Sequence, residues 1–400
     1  MNRPLALYVH WPFCVRKCPY CDFNSHVRPQ VDETAWCEAL LADMRHEAGE
    51  TAGRTLSSIF FGGGTPSLMQ PGTVAALIDQ ALALWPAEDD LEITLEANPS
   101  SVEAARFQGF ALAGVNRVSL GLQALDDEAL KLLGRAHDLR QGLLALDIAQ
   151  KHFPRVSFDL IHSRPGQKAA EWQAELARAL SFGTGHLSAY QLTIEEGTRF
   201  HTLARKGLLD LPPEDEAARM YELTGELCEA AGLLLYEVSN HARPGEESRH
   251  NRQYWRYGEY AGIGPGAHGR RGHLATTRIR RPESWLEAVR AHGHGLEETT
   301  PIPPDEAAGE ALMMGLRLAD GIDPGLFLAR TGRPLATVAP AKARARLERL
   351  GLLQPGERLR VTAAGRMLTN RILLELLAGV ETVGVETAGA DANLAASGNG

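Results

Sequence analysis

Short apolar runs and segments of helical period alternate along the first 240 residues. Apolar runs that read as strands fall at 5–10, 56–61, 91–96, 117–122, 156–161 and 186–192. Between them lie segments with apolar residues at helical spacing, among them 32–47, 72–84, 101–113 and 168–182. Ser100 and Ser101 precede acidic, helix-forming residues, the place of an N-cap. Alternating strand and helix predicts an α/β fold with a parallel sheet and right-handed crossovers. Six such units predict an open, partial (β/α)6 barrel, TIM-like but three-quarters complete. A doubly wound sheet shares the alternation. The count of six, and a cysteine loop directly after the first strand, favour the barrel.

The pattern changes past the barrel. A helix at 212–232 and an apolar strand at 233–238 end the first domain, 1–240. Residues 241–281 are rich in Gly, His and Arg, and 241–300 reads as a connecting region. Helices at 305–318, 324–331 and 340–350 then precede 351–361, which reads as a β-hairpin with a Pro-Gly turn. A last helix covers 362–377. Three helices with a hairpin predict a mostly helical, winged-helix-like domain over 301–380. Residues 381–400 are small and polar and read as a disordered tail.

Composition narrows the function. A chain of 400 residues with 44% hydrophobic content supports a sizeable core. A net charge of -9 argues against nucleic acid as a partner, because that binding rests on phosphate neutralisation by Lys and Arg. No apolar run approaches the roughly 20 residues of a membrane span, so any membrane contact is expected to be peripheral. The amino terminus lacks the apolar stretch of a signal peptide. Five cysteines without a disulfide pattern suit a reducing, cytoplasmic setting.

Three of those cysteines, Cys14, Cys18 and Cys21, share one short loop in C-x3-C-x2-C spacing. Three thiolates on one loop can converge on one metal centre. An iron–sulfur cluster normally takes four thiolates, so three leave one iron of a four-iron cluster open. The alternative is structural zinc with Cys37 or His26 as fourth ligand, but the second C-x2-C pair of a zinc ribbon is missing. Cys37 and Cys228 sit in apolar, helix-like settings and read as small buried hydrophobes.

The other polar oddities fall at strand ends, where barrels place their sites. Gly62-Gly63-Gly64-Thr65-Pro66 follows the second strand, and lacks the Lys-Ser/Thr of a phosphate loop. Glycine there admits a ligand close to the backbone. Glu96 ends the third strand, Gln123 follows the fourth, Asp159 sits in the fifth, and Tyr190 and Gln191 in the sixth. Buried groups of this kind need partners. They can pair with each other or with a polar ligand, and Arg135 reads equally as a ligand clamp or as a surface residue.

The spacing and surroundings of these residues resemble the radical S-adenosylmethionine (SAM) superfamily. The likeness is to its branch of oxygen-independent coproporphyrinogen III oxidases and haem chaperones. The matching stretches are Tyr-Val-His-Trp-Pro-Phe-Cys (8–14), Phe-Gly-Gly-Gly-Thr-Pro-Ser (61–67), Gly-Leu-Gln (121–123), Asp-Leu-Ile (159–161), Tyr-Gln-Leu-Thr-Ile-Glu-Glu-Gly-Thr-Arg-Phe (190–200) and Tyr-Glu-Val-Ser-Asn (236–240). The resemblance implies a [4Fe–4S] cluster on Cys14, Cys18 and Cys21, with SAM chelating the open iron. It implies SAM contacts from Tyr8, Tyr20, Gly63, Gly64, Thr65, Glu96, Gln123, Arg135 and Asp159.

Three features favour the chaperones of that branch over the oxidases. Phe23 stands where the oxidases carry a fourth cysteine, and only thirteen residues precede Cys14. Ser-Arg-His-Asn-Arg-Gln-Tyr-Trp (248–255) matches the H-N-x-x-Y-W motif of HemW-type proteins, and Tyr-Ala-Gly-Ile-Gly-Pro-Gly-Ala-His-Gly (260–269) fits too. The resemblance then implies haem as cargo and acceptor haemoproteins as partners, and leaves a homodimer open. The alternative function is a radical enzyme acting on a porphyrinogen. His250 would be the haem ligand, with Tyr254 and Trp255 stacking on the macrocycle and Arg249 or Arg252 on its propionates. Packing of the same helix into the core is the competing reading. One departure stands out: His162-Ser163-Arg164 replaces the Tyr-Gly-Leu usual in the branch. That puts glycine-dependent geometry and adenine contacts at the barrel mouth in doubt.

Overall fold

The structure, a computed structural model, describes residues 3–378. The expected tail at 381–400 lies outside the described residues. Six strands form in chain order: β1 (Pro4–Trp11), β2 (Thr55–Gly63), β3 (Ala87–Ala97), β4 (Arg117–Gln123), β5 (Arg155–His162) and β6 (His186–Gln191). Each pairs in parallel with the next. β2 is buried along 56–63 without alternation, as expected of a parallel strand covered on both faces.

Helices α1 (Glu33–Glu50), α2 (Pro71–Leu84), α3 (Leu139–His152) and α4 (Ala169–Leu180) cover the outside. Their starts carry local signals. Asp32 accepts from the Ala35 N–H, Pro71 opens α2, and Asp138 with Gln141 makes a capping box. The segment expected as one helix at 101–113 is two, Ser101–Ala104 and Phe107–Leu112. The break falls where Arg106 turns to donate to the Leu68 carbonyl at 2.7 Å.

The sheet runs well beyond six strands. After helix α5 (Glu214–Ala230), β7 (Leu234–Glu237) and β8 (Asn240–Ala242) extend β6 in antiparallel pairing. Helix α6 (Arg249–Trp255) leads to β9 (Glu259–Ile263), which pairs in parallel with β1. β10 (His268–Arg271), β11 (Leu274–Arg278) and β12 (Leu296–Pro301) then add antiparallel strands. The result is one open twelve-stranded sheet, β12-β11-β10-β9-β1-β2-β3-β4-β5-β6-β8-β7. The stretch expected as a connector thus supplies five of its strands. Its glycines hid them: at Gly262 and Gly269 a Cβ would run into the neighbouring strand.

A buried ion-pair network locks this added sheet to the barrel. Arg278 of β11 has no exposure and lies between Asp43 and Glu47 of α1, themselves fully buried. Asp43 also accepts from the Gly264 and Gly295 N–H groups at 3.1 and 3.2 Å.

The C-terminal module has its own core, built on Leu312, Phe327, Leu347 and Ile372. It comprises α7 (Pro304–Gly315), α8 (Pro324–Thr331), α9 (Ala341–Arg349), a hairpin of Leu353–Gln354 with Arg360–Val361, and α10 (Thr369–Ala378). The first helix ends earlier than expected because Leu318 forms a bridge with Glu237 of β7, fastening module to barrel. Among the described residues no helix is long and apolar enough to cross a membrane.

Removing one partner from a buried charge network leaves the others uncompensated. Arg278→Met should cost about 3–5 kcal/mol in urea unfolding. A loss below about 1 kcal/mol would show that the network does not hold the added strands.

Candidate functional site

The cysteine loop leaves β1 and is held by the barrel at several points. Phe13–Cys14 pairs in parallel with His26–Val27. Thr65 donates to Cys14 Sγ at 3.3 Å, and Arg135 donates to Cys18 Sγ and to Tyr20 Oη, each at 3.4 Å. The other Arg135 nitrogen reaches the Gly121 carbonyl at 2.9 Å and the side-chain oxygen of Asn98. Asn98 in turn donates to Thr65 at 3.1 Å. One guanidinium therefore joins the cysteine loop to the ends of β3 and β4. Tyr20 packs beside Phe200, whose N–H donates to the Pro19 carbonyl at 2.9 Å. Burial raises the thiol pKa of Cys14, and that of Cys21 to about 11. A thiol so placed loses its proton readily only to a bound metal.

The glycine turn serves packing first. At Gly63 (φ 108°) a Cβ would lie 2.6 Å from the His10 ring. At Gly64 it would lie 2.8 Å from the Phe13 carbonyl oxygen, and the Gly64 N–H donates to Trp11 at 2.7 Å. The glycines let the turn press against the root of the cysteine loop, while Gly63, Gly64 and Thr65 still face the cavity.

That cavity, of about 860 Å³, runs from the cysteine loop through the barrel interior to the C-terminal module. It sits near the upper end of the roughly 300–1,000 Å³ usual for small-molecule sites. Glu96 and Asp159 open onto it and are otherwise enclosed. Burial raises the Glu96 carboxyl to about 8, helped by the nearby Asp159 charge. Burial raises Asp159 to about 6, against hydrogen bonds from Ser188 and Ser119. Gln123 sits at a positive φ of 70°, and its buried Oε1 has no partner. A strained, non-glycine residue with an orphaned acceptor marks a place for a polar ligand. Arg135 Nε is likewise buried and unpartnered. These groups fit a zwitterionic ligand with hydroxyl and amino donors, as SAM is.

Of the residues singled out in the sequence, Cys14, Cys18, Cys21, Tyr20, Gly63, Gly64, Thr65, Glu96, Gln123, Arg135 and Asp159 all line this one cavity. Tyr8 and His250 do not. Tyr8 Oη pairs with His10 Nδ1 at 3.0 Å. His250 is buried, stacks on Phe60 at 4.6 Å and pairs through Nδ1 with Ser58 Oγ at 3.1 Å. Its pKa is lowered to about 3 by burial. Glu92 accepts the Arg249 and His250 N–H groups and so pins the start of α6 beneath the barrel. From that motif, Asn251 and Trp255 reach the cavity. Arg249 and Arg252 do not; they pair with Asp90 and Glu88, and with Glu247 and Asp320.

The His162-Ser163-Arg164 departure is absorbed away from the cavity. Ser163 adopts φ 58°, the conformation a glycine would take, at a cost of roughly 1 kcal/mol. Its hydroxyl pairs with His162 at 3.0 Å. Arg164 is buried against Glu175 at 2.6 Å, and His162 lies on Trp172 at 5.2 Å. The doubt about ligand contacts is thereby removed for these three side chains, none of which lines the cavity.

Sequence reasoning missed Asn98, Arg117 and Ser119 at the site, and Arg317 and Arg366 on the module side. Asn98 was legible, two residues past Glu96 at a strand end. Arg317 and Arg366 carry no such signal.

Open barrel, cysteine loop and polar mouth define the class of proteins with a radical SAM fold. The "Radical SAM superfamily" model matches residues 8–179, and the "HemN C-terminal domain" model matches 302–368. In structure the chain is similar to the coproporphyrinogen III oxidase HemN of Escherichia coli, with a TM-score of 0.79 over 94% of this chain and 90% of that one, at 23% identity. In sequence it is 37% identical to "Heme chaperone HemW" of Escherichia coli over 94% of this chain and 98% of that protein. It is 43% identical to the bovine "Radical S-adenosyl methionine domain-containing protein 1, mitochondrial" over 80% of this chain and 75% of that protein. The chain belongs to the radical SAM superfamily, in the family of these HemW relatives. Membership implies a [4Fe–4S] cluster and SAM.

Glu96 and Asp159 hold their protons more tightly folded than unfolded. The unfolded chain releases them in the ordinary carboxylate range, the folded one only near 8 and 6. Their own contribution to the stability of the cofactor-free chain should therefore fall as pH rises from about 4 through 8, opposite in sign to that of buried histidines such as His162 and His250, whose pKa values burial lowers. Wild type should therefore lose stability relative to Glu96→Gln between pH 5 and pH 8, measured by urea unfolding of both proteins. An unchanged pH dependence would place the Glu96 pKa near its ordinary value.

Proposed function

We propose that this chain binds haem and passes it to acceptor haemoproteins, with the cluster and SAM shaping the site rather than driving turnover. The observation that carries this reading is the single cavity that continues past the SAM-facing groups to the C-terminal module. It leaves room beside the cysteine loop for a second, larger ligand. Relationship to HemW along almost the whole chain supports it, as does Phe23 in place of a fourth cysteine.

Cys14, Cys18 and Cys21 would hold the cluster. The cluster, when bound, offers SAM an open iron and one electron. Tyr20, Gly63, Gly64, Thr65, Glu96, Gln123, Arg135 and Asp159 would surround SAM. Glu96 and Asp159 would accept from its hydroxyl and amino groups, and a cationic ligand beside them would favour their charged forms. Arg135 keeps Cys18 and Tyr20 in place. His250 is assigned a packing role, because its ring lies outside the cavity and its Nδ1 is already partnered.

An anaerobic haem titration of the cluster-reconstituted protein should saturate near one haem per chain in the Soret region. His250→Ala should alter stability more than haem affinity. Absence of saturable binding by the wild type, with 5′-deoxyadenosine formed on reduction, would replace this reading with a radical enzyme. Cys18→Ala should lose the cluster's visible absorption, and full retention would remove Cys18 from the ligand set.

A further inference from the structure

The cavity's walls differ in what their cations are doing. Arg135 is spent on the cysteine loop, and Arg117 lies buried deep in the barrel, where its charge faces Glu92, Glu96 and Asp159. On the module side stand two more guanidiniums. Arg317 follows α7 and lies over the Trp255 ring at 6.0 Å. Arg366 ends the short helix Ala363–Arg366 that precedes α10. Both line the cavity, and both are half-buried. Among the described residues neither has a carboxylate within ion-pair distance. Among the described residues the Arg317 guanidinium donates to the Met313 carbonyl alone, and burial lowers its pKa. Glu237, whose charge reaches it, is itself raised to about 7 by burial and bound to Asn240.

Two unpaired, partly desolvated guanidiniums on one wall are costly unless an anion completes them. Guanidinium forks match carboxylates in geometry and gain most where water is thin. Apolar and aromatic side chains share this end of the cavity: Trp255, Tyr221 and Val238 line it together with polar neighbours such as Asn251 and Asn370. A ligand that answers both features has a planar apolar body and two carboxylates on one edge.

Resting on the haem reading above, we infer that the tetrapyrrole sits on the C-terminal side of the cavity. Arg317 and Arg366 clamp its two propionates there, and Trp255 lies beside the macrocycle. This replaces Arg249 and Arg252, whose charges are already matched by acidic neighbours outside the cavity. It also gives the C-terminal module a task, since it supplies both clamps. Cargo and SAM then occupy opposite ends of one chamber.

The test compares haem with haem dimethyl ester, whose propionates carry no charge, on the cluster-reconstituted full chain. Wild type should bind haem about ten-fold or more tighter than the ester. Arg317→Gln and Arg366→Gln should each bring haem affinity down toward that of the ester, leaving ester affinity unchanged. Circular dichroism of each variant checks the fold, and the ester comparison on wild type needs no variant. Equal binding of haem and ester by wild type would overturn the clamp while the haem reading stands. Haem affinity unchanged in both variants would overturn the assignment to these two arginines. No saturable haem binding by wild type would remove the haem reading and this inference with it.

Discussion

The site hangs on one half-buried cation. Arg135 donates to a thiol, a phenol, an amide oxygen and a backbone carbonyl, drawn from the cysteine loop and two strand ends. Hydrogen bonds to a charged group are each worth roughly 1.5–3 kcal/mol, and a lost partner leaves a charge stranded. The guanidinium thus fixes where Cys18 and Tyr20 stand relative to β3 and β4. Thr65 and Asn98 carry the same chain of contacts on to Cys14. The thiols are positioned by the barrel.

Close backbone approach supports this from the other side. Gly63 and Gly64 press the turn after β2 against His10 and Phe13. Gly264 and Gly266 do the same beneath His10 and Asn24, whose amide donates to the Pro265 and Arg280 carbonyls at 2.9 Å. Asp43 holds the Gly264 N–H while it pairs with Arg278. The buried ion-pair network and the cysteine loop are therefore two ends of one packed unit. The glycine-rich 260–269 stretch is the foundation of the site and not a loop beside it.

Much of this was legible in the sequence because it rests on local signals. Strand–helix alternation gave six parallel strands in order, and polar residues at strand ends pointed to one mouth. Eleven of the residues singled out in the sequence line that one cavity. What the sequence hid was set by packing across the fold. Tyr8 and His250 are chemically suited to bind, but neither is among the residues that line the cavity: Tyr8 pairs with His10 along its own strand, and His250 pairs with Ser58, far away in the chain. The strands from β9 onward looked like a connector because their glycines, needed for close approach, resemble turns. Ser163 shows the reverse: a residue disfavoured in the left-handed region adopts it, steadied by His162. Arg317 sits in the turn after α7 and Arg366 ends a short helix, with no period to distinguish them from surface residues. Only the folded cavity brings them to one chamber, where among the described residues neither forms an ion pair with a carboxylate.

The central claim is that the barrel, through Arg135, orders the cysteine loop before any cluster binds. Hydrogen–deuterium exchange of residues 14–21 in the cluster-free chain tests it most directly. The Cys21 amide, bonded to the Cys18 carbonyl at 3.2 Å, should be protected in the wild type. It should exchange freely in Arg135→Gln, with the barrel strands unchanged. Equal, fast exchange in both proteins would mean that the cluster, not the barrel, orders the loop.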